Sequence, residues 1–135
     1  MIYANVVRDK VWDSLRIHGF EYGKTRQDPV VYVISQGRQS VRITRSPLHK
    51  WVFMTVTLDK RRAERVGYSH REKKLHVHSF PGSPRLIGKL SAVRCGCRGD
   101  YDVIRVKISV EADWELVNKA VWQFEEAIVQ DMPAF

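Results

Sequence analysis

The residues with chemistry to offer stand in two short pairs. His76 and His78, within "LHVHSF" (75–80), are two positions apart on a segment that alternates like a strand. Both imidazoles would then face the same side. Cys95 and Cys97 are separated by a single glycine. Together the four could form a two-cysteine, two-histidine zinc site, but the cysteine pairs of structural zinc sites are usually spaced by about two to four intervening residues. That spacing is not met, so we expect no metal and no cofactor, and we read the cysteines as reduced thiols. Two imidazoles titrating near neutrality could instead serve as acid and base in metal-free RNA cleavage, with Arg105 or Lys107 stabilising a phosphorane. No carboxylate in the strands is placed to orient either ring. "DYDVIRVK" (100–107) offers Asp100, Asp102 and Lys107 to a metal-dependent nuclease, but Arg105 stands where a second strand acid is wanted. There is no glycine-rich phosphate loop, no GxSxG and no HExxH. The chain therefore reads as a binding protein rather than an enzyme, with a metal-independent nuclease built on His76 and His78 kept as a rival.

Any such site must be positioned by the surrounding elements. "NVVRDKVWDSLRIH" (5–18) has Val7, Val11, Leu15 and His18 at helical spacing, Asn5 to cap its start and Gly19 to stop it. "EYGKTRQDP" reads as a loop or frayed strand, and "VVYVI" (30–34) as a strand. After a turn at Gln36-Gly37 comes "SVRIT" (40–44), then a loop at Ser46-Pro47, then "WVFMTVTL" (51–58). The charge run 59–74 suggests one helical turn and a loop. "LHVHSF", "RLIGKLSAVRC" (85–95) and "VIRVKISV" (103–110) read as further strands. Asp113 is a good cap for a helix with Val117, Val121, Phe124 and Ile128 on one stripe, ended near Pro133.

The chain has 135 residues, enough for one domain (1–135) with a core that needs no disulfide or metal. The order helix, strands, helix predicts an α+β fold. We expect a single antiparallel sheet of five to six strands, with the N- and C-terminal helices packed on one face. This element order is similar to that of frataxin-like and related double-wing domains. The likeness is one of topology. Frataxins carry an acidic first helix and sheet edge, whereas this sheet is basic, so no residue and no iron function carries over.

The net charge is +8, and its distribution is uneven. Residues 36–110 carry 17 Lys or Arg against 5 acids, while residues 111–135 carry one Lys against six. A polarised molecule of this kind suits an anionic partner, either a nucleic acid or an acidic protein. No apolar run approaches the roughly 20 residues of a membrane helix, and the first ten residues do not have the pattern of a secretory signal. We expect a cytoplasmic protein with no membrane partner.

Strand alternation then places the site. In "WVFMTVTL", Val52, Met54, Val56 and Leu58 form a core row, while Trp51, Phe53, Thr55 and Thr57 face the other way. If both helices cover one side of the sheet, the opposite side collects Arg42, Trp51, Phe53, His76, His78, Arg105 and Lys107, with Lys60, Arg61 and Arg62 in the adjoining basic run. Cations interleaved with aromatic rings on a sheet suit single-stranded RNA or DNA. Three other arrangements would account for the same residues. Segment 59–74 could fold over the sheet, the face could be a homodimer or protein interface, or cationic side chains could lie on the rings in water.

Overall fold

The computed structural model describes residues 1–69, 71, 74–75, 90–94 and 101–134. His76, His78, Phe80, Cys95, Cys97 and Asp100 lie outside the described residues.

The first helix, α1, spans Ala4–Leu15 and runs into a 3-10 turn at Arg16–His18. It starts one residue earlier than the sequence suggests. Tyr3 is the N-cap residue, with no side-chain cap bond, and Asn5 sits inside the first turn. Gly19, at φ +83, supplies the left-handed stop. The strands that follow are β1 (Glu21–Lys24), β2 (Tyr32–Gln36), β3 (Gln39–Arg45) and β4 (Trp51–Asp59). The strand expected at 30–34 is shifted because Val31 bonds back to Thr25 through both its backbone groups, which closes the β1–β2 connection. Gly37, at φ +58, makes the two-residue turn into β3. Then come α2 (Lys60–Arg65), a short ribbon of β5 (Tyr68–Ser69) with β6 (Lys74–Leu75), and β7 (Leu90–Arg94). The chain ends with β8 (Tyr101–Ser109) and α3 (Trp114–Val129).

Among the described residues the main sheet has six strands in the order β1-β2-β3-β4-β8-β7, antiparallel at every pairing. The fold is thus α+β with one antiparallel main sheet, as the element order predicts. Of "LHVHSF" only Leu75 is described, and it pairs with Tyr68 in the separate ribbon.

The three helices of the described residues bury their apolar stripes against the same side of the sheet. Val7, Val11 and Leu15 of α1, Ala63 of α2, and Val117, Val121, Phe124 and Ile128 of α3 share one cluster with Val41, Ile43, Val52, Met54, Val56, Ile104, Val106 and Ile108. Burying each large apolar side chain in that layer is worth about 1.5–3 kcal/mol, which is what forces the alternating strands to present one face inward. The other side of the sheet is left without a helix among the described residues.

Candidate nucleic-acid interface

The uncovered face is built by register. Arg42 of β3 pairs with Thr55 of β4, and Thr55 pairs with Arg105 of β8, so one row crosses the sheet as Arg42, Thr55, Arg105 and Ser91. The next row toward the start of β4 is Thr44, Phe53 and Lys107, and beyond it Trp51 stands opposite Ser109. Toward the other end, Ser35, Ser40, Thr57, Val103 and Val93 form a further row. Strands about 4.8 Å apart put the Cα atoms of Arg42 and Arg105 roughly 10 Å from each other, and Arg105 and Lys107 stand about 6.8 Å apart along β8.

Five of the ten residues expected in the interface therefore meet on one face: Arg42, Trp51, Phe53, Arg105 and Lys107. Arg42 and Arg105 are exposed, and the two rings are half-buried. None of the ion pairs among the described residues involves Arg42, Arg105 or Lys107. The half-burial of the rings has a specific cause. Arg105 Cζ lies 4.0 Å from the centroid of Phe53, and Lys107 Nζ lies 4.2 Å from that of Trp51. Both contacts are diagonal across the β4–β8 pair: each cation leans along its strand onto the ring beyond its direct partner. Each is worth about 0.5–1 kcal/mol at an exposed site. Cationic side chains resting on the rings, one of the arrangements open to the sequence, are thus present among the described residues.

Three of the remaining expected residues lie elsewhere. Lys60, Arg61 and Arg62 belong to α2, which packs into the helix layer and not over the open face. Ala63 and Val66 are buried in the core. Arg62 is held by Asp59, which also caps the helix by accepting from Arg62 N at 2.8 Å. Arg65 Nη2 bonds Asp131 Oδ2 at 3.0 Å, beyond the end of α3. Arg61 is exposed and directed away from the core. Helix α2 thus neither covers Trp51 and Phe53 nor extends their face. His76 and His78 lie outside the described residues.

Sequence reasoning missed two features. The first is the use of the hydroxyls of the open face, where Ser35, Ser40, Thr55, Thr57 and Ser109 lie around the cations. Ser and Thr hydroxyls are common partners of phosphate oxygens and sugars; strand alternation carried this signal, but rings and charges drew the attention. The second is Glu125, which is only 4% exposed on the inner stripe of α3. Its Oε2 accepts from Lys10 Nζ and Ser14 Oγ of α1, each at 2.9 Å. Glu125 is four residues after Val121 and three before Ile128, so its inward position was readable from helical spacing.

No protein-family model matches this chain, and neither curated proteins nor solved structures give a match. Among the described residues, no helix is long and apolar enough to cross a membrane.

Proposed function

We propose that the open face of the sheet binds single-stranded RNA or DNA, with weak sequence preference, by its sugar–phosphate backbone and by the faces of its bases. The observation that supports this most directly is the grouping of Arg42, Arg105 and Lys107, none engaged in the ion pairs of the described residues, on one sheet face with Trp51 and Phe53. Cations without a carboxylate partner are available to phosphates. Hydroxyls around them suit backbone oxygens, and two rings within the same rows suit bases, which stack at about 1–3 kcal/mol each. The reading is of binding, carried by the described residues of the face alone.

A titration with a fluorescently labelled single-stranded oligomer at two salt concentrations tests it. Affinity should fall with salt by a log–log slope of about −0.7 for each phosphate neutralised. Arg105→Ala should weaken binding and make the slope shallower by about one such contact. No measurable binding at low salt would end this reading.

A protein-contact module is the second reading, and Trp122 is the observation in its favour. It stands 53% exposed on the outer face of α3, close to Glu126. Aromatics are favoured at interfaces, and the mixed charge beside it, Arg65 and Glu126, would suit a partner protein or a second copy. A monodisperse dimer that dissociates on Trp122→Ala, in a protein that ignores oligonucleotides, would establish it.

A further inference from the structure

The open face carries its rings already covered, which is an unusual state for a stacking platform. Phe53 and Trp51 each have a cation seated on the ring. A base cannot stack on the ring face that Lys107 occupies, and a phosphate must draw Lys107 toward itself to form a close ion pair. The two events use the same side chain.

We infer that the face is self-capped: Lys107 and Arg105 rest on Trp51 and Phe53 in the free protein and leave them together with phosphate contact, so charge pairing unmasks the base platform. The inference rests on the nucleic-acid reading above and adds what the face selects for. A bare polyanion recruits the cations but leaves two apolar rings open to water. A single strand recruits the cations and covers the rings with its own bases. The cap thereby makes the face discriminate a nucleic-acid strand from a polyanion of equal charge.

Two observations and one comparison of bond strengths carry this. Both cations sit on the rings diagonally, an arrangement set by the β4–β8 register and repeated at two successive positions. Neither cation takes part in the ion pairs of the described residues, so no carboxylate among those residues anchors it in place. The cap itself is weak, since a cation–π contact at an exposed site is outcompeted by a charge-assisted bond to phosphate. Lys107, a compact ammonium on a flexible stem, moves off as a point charge. Arg105 can also present its outer plane to a base, so the Lys107–Trp51 pair is the clearer place to look.

The test compares three probes of equal length and charge class: a mixed-sequence single-stranded deoxyoligomer, an abasic oligomer with the same number of phosphates, and inorganic polyphosphate. It uses the full chain and the variant Trp51→Leu, which keeps apolar bulk without a ring, with Phe53→Leu as a second variant should the first fail to fold. In the parent protein the base-containing oligomer should bind about ten-fold more tightly than the abasic one, the equivalent of one stacked base. Methylene protons of Lys107, shifted upfield by the indole ring in the free protein, should return toward ordinary values on adding any of the three. Removing the ring should act in opposite directions. Trp51→Leu should weaken the base-containing oligomer by about two- to five-fold, the lost stacking offset in part by the lost cap, and strengthen the abasic oligomer by about two- to five-fold, because Lys107 no longer has a cap to leave, so that the two bind alike. Equal binding of both oligomers, unchanged by Trp51→Leu, would overturn the cap while leaving backbone binding intact. Binding of none of the three by the parent would overturn the nucleic-acid reading itself.

Discussion

Single residues on the inner stripe of α3 decide how the two terminal helices are joined. Burial pushes the Glu125 carboxyl above its ordinary 4.5, against the opposing pull of the Lys10 and Ser14 hydrogen bonds. The folded state therefore holds the proton more tightly than the unfolded one. From the ordinary value up to the folded value the native state binds more protons, so this group's contribution favours folding most at low pH and is lost as pH rises through that window. Urea midpoints measured across mildly acidic to neutral pH should show the decline, and Glu125→Gln should flatten it. Lys10→Ala removes the partner and leaves a buried carboxylate. It should cost about 1–3 kcal/mol near neutral pH, read from the same midpoints. A Glu125→Gln variant that keeps the parent's pH dependence would refute the assignment.

At this scale the sequence was most legible where residues alternate. Val52, Met54, Val56 and Leu58 are all buried and Trp51, Phe53, Thr55 and Thr57 are not, because a strand offers only two sides and one is covered. What alternation did not show was where a long side chain goes after leaving its strand. The leaning of Lys107 onto Trp51 depends on the β4–β8 register, and these strands are separated in sequence by more than forty residues. Cross-strand pairing of that kind has no local signature.

Among the elements, α2 shows how a charge run becomes part of a core. "KRRAER" is polar in composition, yet Ala63 and Val66 recur at helical spacing, Asp59 stands at the N-cap and Gly67, at φ +89, follows. Those four positions carried the signal for a helix packed inward; the surrounding charges hid it. The run thus packs into the helix layer, away from the open face. Burial raises the Asp59 carboxyl, but the bonds from Arg62 and the charges of Arg62 and Arg61 together hold it below 3.8. Its folded pKa is depressed, so its contribution is present above the ordinary value and is lost as pH falls through the folded one. Asp59→Ala should cost about 1 kcal/mol near neutral pH, the usual worth of an N-cap, and the deficit should shrink in acid. Thermal unfolding at neutral and acidic pH would show it. An equal deficit at both would mean that the cap is not working as a charge.

For the whole molecule, the question is whether net charge or its placement governs binding. The chain carries +8, and a basic protein attracts polyanions anywhere on its surface. The fold separates the two explanations, because the helix layer and the open face lie on opposite sides of one sheet. Arg42 is exposed on the open face and Arg61 is exposed on α2 in the helix layer. Replacing either with glutamate lowers the net charge by the same amount. Surface charges are screened beyond about 10 Å at 0.1 M salt, so a charge behind the sheet contributes little to a ligand in front of it. Arg42→Glu should therefore weaken a single-stranded oligomer by about ten-fold, a step equivalent to about 1.4 kcal/mol, and should flatten the salt dependence by about one phosphate contact. Arg61→Glu should leave affinity within about two-fold and the slope unchanged. The comparison needs only matched titrations at two salt concentrations. If the two variants lose affinity equally, attraction is a property of total charge, and the row of Arg42, Thr55 and Arg105 has no special part in it.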